Sequence, residues 1–541
     1  MLEKDHGILL TVAGFIPLIG PEVESRQELL VAGQELALGN KYMVKGIDAA
    51  SRETDLALTD RFQILRTHLR GAVPQYREAL LHLQVVDQKA VPVEYQETFA
   101  DFKVLFGTFI NDMEETIELI DALGSVFGED VLKRYLIVFQ NHHEARPTGG
   151  FMGSFALLDV QKGKVAALEV PGGGTYDLQG QLDVYMEPPV PLQLVNGRWE
   201  FQDANWFPDF AESAKKIEWF YTHGRGRTVD GVIAINASVL ERFLRVVGPV
   251  QSDAYDLILH HEDALTDLQD EVENTYDREV NQPKAVIAEL LEQFLAELRQ
   301  VETLDAVRLL SELHEALEEK EIQVYAHEPA LMRTFRSFGW TGELLPVAEG
   351  QDYLSVIHTN IAGQKSDARI EQTIEHKAVI SGRGEIVNTV VIRRTHTGQE
   401  TEPFYGAPNI SYVRLYVPEG AELIAAGGFT YPPEEKFHVP EAWYAKDGDL
   451  ARIETNERIH VETGTRVTEE FGKTVFGNWV VTNPGETSDI YFTYRLPFRA
   501  FSDRVPADRF TQAKAWLTSF SRTSHYTLIA QKQSGSASRL T

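Results

Sequence analysis

A short, continuous apolar run at residues 135–139 divides this sequence into two parts of different pattern. Such a run is typical of a β-strand that is buried on both faces of a sheet. Before it, apolar residues recur at helical spacing, as in Phe102, Leu105, Phe106, Phe109, Met113, Ile117, Ile120 and Leu123. The run therefore predicts the first strand of a sheet that follows a helical region.

After this strand, the sequence alternates between strand-like and helix-like segments. Residues 154–160 and 165–170 are predicted strands that are joined by a turn containing glycine. Asp209 and Glu212 form a capping-box pattern, which predicts that a helix begins directly after Asp209, and a strand is predicted at 229–235. This alternation is the pattern of an α/β sheet.

The same alternation continues to about residue 345. Ser238 and Glu241 repeat the capping pattern and predict a second helix, which ends at Gly248. A strand is predicted at 322–326 and a further helix at 329–338. These elements complete the predicted α/β domain.

Beyond residue 352 the pattern changes to short β-type runs separated by Gly, Pro and Asn turns, at 386–393, 411–417 and 489–496. In the last run, apolar residues alternate with polar ones, namely Ile490, Phe492, Tyr494 and Leu496. Alternation of this kind is expected when one face of a strand is buried against a second sheet. The C-terminal part is therefore predicted to be a β-sandwich.

At 541 residues the chain is too long for one hydrophobic core, so two or three domains are expected. The predicted fold class is α/β plus all-β, with a helical region in front. The predicted divisions are an apolar N-terminal segment at 1–23, a helical stalk or bundle at 24–130, an α/β domain at 131–345, a β-sandwich domain at 352–532 and a flexible tail at 533–541.

The N-terminal segment contains a nearly unbroken apolar run at residues 8–20. A helix of this length is too short to span a bilayer, which needs about 20 residues. The run also lacks a strong basic start and a signal-peptide cleavage pattern. It is interpreted either as the remnant of a membrane anchor or as a buried helix.

Composition excludes several classes of function. Acidic residues outnumber basic ones by 81 to 51, and the resulting formal charge of −30 repels a phosphate backbone, so no nucleic-acid partner is expected. The chain has no cysteine, which excludes disulfides, thiolate zinc sites and cysteine nucleophiles. The acidic surplus is explained by solubility or, alternatively, by binding of Mg²⁺ or Ca²⁺.

The densest group of polar residues, at 141–150, directly follows the first predicted strand. Ligands of open α/β sheets bind outside the carboxyl ends of strands, so this loop is a candidate oxyanion site. The candidate ligand-binding residues are Asn141, Glu144, Arg146, Gly149 and Gly150. In the alternative interpretation, Arg146 pairs with Glu144 or a nearby carboxylate, and the glycines only permit a turn.

A second group, Asp203, Asn205 and Asp209, precedes the predicted helix. Asp209 is most simply the N-cap of that helix. Asp203 and Asn205 have no such role, so they are candidates to hold Mg²⁺ or to position a hydroxyl group near Arg146. Neither a P-loop nor a GxSxG, HExxH or GxGxxG motif occurs in a suitable setting.

Three segments together, RYLIVFQNHHEARPTGGFMGSFALL, DANWFPDFAESA and VDGVIAINASVLERFLRVVGPV, resemble the bacterial family called domain of unknown function 4012 (DUF4012). The resemblance extends from about residue 131 to the C-terminus. It implies a membrane-associated cell-envelope protein that lies outside the cytoplasm and is held by an N-terminal membrane segment.

That family is in turn distantly similar to the LytR-CpsA-Psr enzymes, which transfer glycopolymers from a polyprenyl-pyrophosphate carrier to the cell wall. This similarity implies a phosphate-binding role for Arg146, a site role for Asn205 and a place for Arg278 near the later arginine region of those enzymes. The acidic residue that those enzymes carry just after the arginine is replaced here by Pro147, Thr148 or Gly149. Phosphoryl transfer relies on charges around the phosphates, so this departure counts against catalysis.

Two functions follow from these features. In the first, the protein binds a phosphorylated or pyrophosphorylated glycan-lipid and transfers the glycan, with Arg146 on the phosphate and Asp203 or Asp209 holding Mg²⁺ or acting as base. Of the two carboxylates, Asp203 is the predicted metal ligand. In the second, it is a non-catalytic surface or scaffold protein whose β-sandwich mediates contacts. The expected partner is a polyprenyl-linked glycan or a cell-wall polymer. Transfer predicts that Arg146, Asn205 and a carboxylate line one pocket beside an apolar tunnel.

Overall fold

The computed structural model describes residues 20–52, 56–224, 226–276, 278–279, 281–298, 301, 303–501 and 525–541. The chain forms two compact units. The first contains residues up to 134 together with 158–168 and 328–334, and the second contains the rest. The apolar run at 8–20 lies outside the described residues, apart from Gly20, where the first helix begins.

The first unit is built on three long helices among its described residues, α1 (Gly20–Arg52), α2 (Leu58–Val85) and α3 (Gln96–Val126). Their shared core includes Leu69, Tyr76, Phe106 and Ile110. A Cβ atom on Gly39 of α1 would lie 2.5 Å from the Tyr76 ring, so this glycine allows α1 and α2 to approach closely. The predicted N-terminal helical region is confirmed. None of the described helices is both long and apolar enough to cross a bilayer.

The sheet that begins the second unit is mixed. The strands of this part of the chain are β1 (Lys133–Arg146), β2 (Gly149–Gln161), β3 (Lys164–Glu169), β4 (Gly231–Asn236), β5 (Val250–Ser252), β6 (Leu257–Leu259) and β7 (Ile322–Ala326), and five of them form the sheet. The strand order is β3-β2-β1-β4-β7, while β5 and β6 form a separate pair. β1 runs parallel to β4, with Tyr135 opposite Gly231, and β7 is antiparallel to β4.

Helices follow the strands as the alternating pattern predicts. They are α4 (Phe210–His223), α5 (Ser238–Val247), α6 (Ala264–Asp270), α7 (Ala285–Leu298), α8 (Thr303–Glu318) and α9 (Pro329–Ser337). The predicted α/β content is confirmed. The core around β1 is rich in large aromatic side chains that are fully buried, including Trp199, Phe201, Trp206, Phe207 and Phe210.

Among its described residues, the C-terminal part is built mainly of strands. They are β8 (Asp352–Asn360), β9 (Ile370–Ile380), β10 (Glu385–His396), β11 (Asn409–Pro418), β12 (Glu422–Gly427), β13 (Thr455–His460), β14 (Thr465–Glu470), β15 (Lys473–Thr482), β16 (Thr487–Arg499), β17 (Leu528–Ala530) and β18 (Ser538–Leu540), with a short helix α10 (Gly448–Ile453) before β13. One sheet has the order β12-β16-β10-β9-β18 and the other β13-β14-β15-β11-β8-β17. Side chains from both sheets form one hydrophobic cluster.

The last nine residues, 533–541, differ from the flexible tail that their Ser- and Gly-rich composition predicts. Strand β18 pairs in parallel with β9. Gln533 is buried, and its side chain exchanges hydrogen bonds of 2.8 Å with the backbone N–H and C=O of His358. These contacts with residues far away in the chain hold the segment against the C-terminal sheets. Composition alone does not reveal such long-range partners.

Candidate functional site

The segment at 141–150 is a pair of strand ends rather than an open loop. Strand β1 continues through Arg146, and β2 begins at Gly149, so only Pro147 and Thr148 form the turn. Gly149 has a φ of +142°, and a Cβ atom there would clash with the side chains of Asn236 and Gln140. The packing of the sheet therefore requires glycine at this position, independently of any ligand.

Arg146 is buried, with 3% of its surface exposed. Its Nε and Nη2 atoms donate to Asp203 Oδ1 at 3.4 and 3.1 Å, and Nη2 also donates to Glu144 Oε1 at 3.2 Å. Nη1 donates to the carbonyl of Ala145 at 3.3 Å and to the carbonyl of Asn360. A guanidinium has five N–H donors, so these contacts use all of them.

The charges in this cluster are unequal, because one guanidinium meets the two carboxylates of Glu144 and Asp203. Burial alone would lower the pKa of Arg146, but the two carboxylates raise it overall, so the guanidinium stays charged. Burial raises the pKa of Glu144 by more than Arg146 lowers it. Glu144 therefore takes up a proton more readily than an exposed glutamate does.

Asn205 does not reach the guanidinium; it supports the turn between β1 and β2. The residue is fully buried, and its Nδ2 donates to Thr148 Oγ1 at 3.1 Å and to the carbonyl of Gly150 at 2.9 Å. Thr148 is held further by Gln140 Nε2, at 2.8 Å from its hydroxyl, and by Gln323 Nε2, at 2.6 Å from its carbonyl. The side-chain amides of Asn205, Gln140 and Gln323 thus donate hydrogen bonds to the oxygen atoms of a buried turn.

Asp209 is the N-cap of α4, as the sequence predicts. Its carboxylate accepts a hydrogen bond from the Glu212 backbone at 3.2 Å and another from Leu344 at 3.0 Å. Burial raises its pKa to about 6, more than these bonds lower it. Among the described residues it makes no contact with Arg146; instead it lines a polar cleft of about 380 Å³ together with Lys215, Glu343 and Arg452.

The remaining predicted residues are dispersed. Asn141 Oδ1 accepts from the backbone of His143 at 3.0 Å, and its Nδ2 lies 3.5 Å from Gln269 Oε1. Next to Asn141, the rings of His142 and His143, which were not among the predicted site residues, lie 4.5 Å apart, and burial lowers the pKa of both, that of His143 to about 3. Arg278 is exposed.

The described residues contain no group of three or more His, Asp or Glu side chains that could hold a metal ion. Asp203, the predicted Mg²⁺ ligand, already accepts two hydrogen bonds from Arg146 on one oxygen. Mg²⁺ in proteins is usually held by one or two carboxylates together with water and substrate oxygens. Asp203 alone supplies only part of such a set.

The sequence did not point to several residues that the fold brings to this place. Asn360 and Gln533 come from the C-terminal part, and Gln533 Nε2 donates to the carbonyl of Arg146 at 2.9 Å. Lys284, Lys365 and Tyr176 lie close enough to Glu144 to interact with its charge. The one signal for Lys284 is its position directly before the predicted helix that begins near residue 285.

The fold and this cluster define a protein with a mixed α/β sheet, a buried arginine at the end of its central strand and a C-terminal β region. Residues 130–271 match the family described as "Protein of unknown function (DUF4012)", which confirms for that part of the chain the family that the sequence resembles.

No curated protein matches the chain. Among solved structures, the transcriptional regulator yvhJ from Bacillus subtilis is similar at 12% identity, over 41% of this chain and 84% of that chain, with a TM-score of 0.20. A TM-score this low supports no conclusion about the fold or the function of this chain.

Proposed function

We propose that this chain is a non-catalytic cell-envelope protein, a surface or scaffold protein that lies outside the cytoplasm and contacts a cell-wall polymer. The observation that carries this proposal is the state of Arg146. All five of its N–H donors are taken by Asp203, Glu144, Ala145 and Asn360. A phosphate group would find no free donor on this side chain.

The contacts of Arg146 fit a structural role. They connect β1 to the 3₁₀ turn at Phe201–Asp203 and to the end of β8. Removing one partner from a buried ion pair leaves an uncompensated charge, which costs about 3–5 kcal/mol. In a phosphoryl-transfer enzyme the corresponding cations face the substrate, because they stabilise charge that develops during the reaction. Here the charge of Arg146 stabilises the fold through its contacts with Asp203 and Glu144.

The proposal includes two finer features of the fold. The sheets of β8–β18 are taken as a β-sandwich, the interaction module, because Val390 and Phe492 of one sheet and Leu415 and Phe476 of the other belong to one hydrophobic cluster. The α/β sheet is taken as similar to the LytR-CpsA-Psr fold because its central strands β1 and β4 are parallel and β4 is followed directly by helix α5. The extracytoplasmic location follows from the family resemblance, with membrane attachment through the N-terminal segment.

A second candidate is transfer of a polyprenyl-pyrophosphate-linked glycan to the cell wall. The observation that favours it is Asp209, whose carboxylate lines a cleft and whose pKa is raised by burial to about 6. A general base works best when its pKa lies near the working pH. In this candidate Asp203 would be the carboxylate that binds Mg²⁺, and Arg146 would have to exchange its protein partners for phosphate.

A transfer assay separates the two functions. The purified chain is incubated with radiolabelled polyprenyl-pyrophosphate-linked glycan and isolated cell wall, with and without MgCl₂, and the label on the wall is counted. The scaffold proposal expects no label above that of a heat-denatured sample, although the folded protein sediments with the wall. Label that depends on the protein and disappears in Asp209→Asn would overturn the scaffold proposal in favour of transfer.

A further inference from the structure

The last described segment, residues 525–541, covers the edges of both C-terminal sheets. Its first strand, β17, pairs in parallel with β8, and its second strand, β18, pairs in parallel with β9. Without this segment, β8 and β9 would be the outermost strands of their sheets. An outermost strand presents unpaired N–H and C=O groups to which another strand can bind. Residues 525–541 are called the latch below, because they close both edges.

Two buried glutamines fix the latch where it crosses from one sheet to the other. Gln531 Oε1 accepts a hydrogen bond from the Tyr353 hydroxyl at 2.6 Å. Gln533 Oε1 accepts from the backbone N–H of His358 at 2.8 Å, and its Nε2 donates to the carbonyl of Arg146 at 2.9 Å. A glutamine amide carries both donors and an acceptor, as a strand backbone does. These side chains therefore pair with polar groups that the latch backbone does not reach.

The latch also reaches the turn between β1 and β2. Ser534 Oγ accepts a hydrogen bond from Asn236 Nδ2 at 2.9 Å. Gly535 has a φ of +69°, and a Cβ atom there would lie 2.8 Å from His142 Cβ and 3.0 Å from the carbonyl oxygen of Gly149. Only glycine fits at this point. The place bounded by β8, β9 and this turn, here called the acceptor groove, is therefore specific for the sequence of the latch.

Polar contacts hold the latch more than apolar burial does. Its buried side chains are Gln531, Gln533 and Ser534, whereas Leu528 and Ile529 pack against the sheets but are partly exposed. The net gain from one hydrogen bond is of the same order as the entropy lost when one residue is fixed. β17 and β18 have three residues each, and parallel pairing is slightly less stable than antiparallel pairing. We therefore expect the latch to open while the sheets stay folded.

We propose that the latch can leave its acceptor groove and that the latch of a second copy can take its place, which links the two copies. The two latches have the same sequence, so each makes the same contacts in the groove of the other copy. Exchange of an identical element is a low-cost route to dimers. Residues 502–524 connect the latch to the rest of the chain, and a chain of that length spans at most about 80 Å. The linkage goes beyond the scaffold function, because it needs no wall polymer.

Disulfide trapping tests the exchange, because the chain has no cysteine of its own. Ser538 of the latch lies opposite Gln372 of β9, and Gln372 Nε2 donates to Ser538 Oγ at 2.8 Å. Folded Gln372→Cys and Ser538→Cys chains, one with a larger tag, are mixed, incubated and treated with oxidised glutathione. Non-reducing electrophoresis is expected to show a dimer of one chain of each kind, with a yield that rises with protein concentration.

Two controls accompany the mixture. Lys377→Cys replaces Gln372→Cys in the first control, because Lys377 is exposed on the same strand but does not lie opposite Ser538. It reports random collision and should give less mixed dimer. The second control carries Gln372→Cys and Ser538→Cys in one chain, which should form an internal cross-link and so show that the latch is seated in the folded protein.

A labelled peptide of residues 525–541 gives a second measurement on the unaltered full chain. Fluorescence anisotropy should show binding, because the peptide replaces a latch that has opened. Gln533→Ala in the peptide should weaken binding by about tenfold or more, since buried hydrogen-bonding groups lose their partners. Lys532→Ala is the matched change, because Lys532 lies between the two glutamines but is exposed, and it should leave the affinity unchanged.

Three results would overturn the exchange. They are no mixed dimer above the Lys377 control, no internal cross-link in the folded double variant, or equal affinity of the Gln533→Ala peptide and the unaltered peptide. The transfer assay and sedimentation with the wall do not depend on these outcomes. A failure here would therefore leave the scaffold proposal standing, and label transferred to the wall would leave the exchange standing.

Discussion

Replacing Arg146 with methionine tests whether its guanidinium is part of the fold or part of a ligand site. Methionine keeps the apolar stem beside Phe151, whose ring lies 5.1 Å from the guanidinium carbon, but it removes all five donors. Asp203 and Glu144 would then be buried without a cation. Breaking a buried pair costs about 3–5 kcal/mol. Because Glu144 already has a raised pKa and can take up a proton, the lower end of that range is expected.

Thermal unfolding of the second unit measures this loss. For a unit of several hundred residues, about 3 kcal/mol corresponds to a fall in Tm of roughly 3–4 °C. Arg393→Met is the control, because Arg393 makes an exposed pair with Asp489 at 2.8 Å, and it should leave the Tm unchanged. The triple variant Arg146→Met, Glu144→Gln, Asp203→Asn should recover part of the loss, since no buried charge remains.

Equal unfolding temperatures for Arg146→Met and the Arg393 control would refute this account. That result would mean that the guanidinium contributes nothing to the fold and is available to a ligand. Recovery in the triple variant separates the charge effect from lost packing, because the methionine is present in both proteins.

Three further predictions follow from the same region. Burial lowers the pKa of His143 to about 3, below its unfolded value of about 6.5, so its contribution to stability is present above pH 6.5 and is lost as the pH falls towards 3. Between pH 7 and pH 5 the free energy of unfolding should fall by about 2 kcal/mol. His143→Gln should flatten that part of a curve of Tm against pH, and an unchanged slope would contradict this prediction. Asn205→Ala should lower the free energy of unfolding by about 1–3 kcal/mol, since Thr148 and Gly150 lose a buried donor, and calorimetric unfolding equal to wild type would exclude that role. Deletion of residues 533–541 should lower the Tm of the second unit and speed hydrogen exchange in β9, because it removes the β18 pairing, and unchanged exchange there would show that the tail is dispensable.

The sequence predicted those elements whose signal is local. The apolar run at 135–139 identified β1, because a strand buried on both faces leaves a continuous hydrophobic stretch. The N-cap of α4 was also predictable, since Asp209 and Glu212 are three residues apart and interact within one turn. In both cases the residues that decide the structure are neighbours in the chain.

Predictions were wrong where a distant residue competes for the same group. Ser238 was expected to cap α5, but the N-cap position is Ala237, and the Ser238 hydroxyl donates to Glu321 instead. Strand β1 was expected to end before the polar residues at 141–146. It continues because distant acceptors meet the polar groups there, as when the Ala145 N–H donates to Asp367 at 3.0 Å.

The candidate site shows the same division between local and distant partners. Glu144, two residues from Arg146, was a foreseeable ion-pair partner, whereas Asp203 and Asn360 are separated from it by 57 and 214 residues. Without those two, Arg146 has donors to spare and the sequence favours it as an anion ligand. With Asp203 and Asn360 in place, Arg146 has no N–H donor left for an anion.

Residue type alone therefore does not decide the role of the arginine at the end of β1. Arginine is the side chain expected on a phosphate, yet Arg146 is matched by two carboxylates and two carbonyls. Binding is favoured where a ligand relieves an existing cost rather than where it must break satisfied contacts. By that criterion Arg146 fixes the strands at this edge of the sheet, because an anion would have to displace its protein partners to reach it.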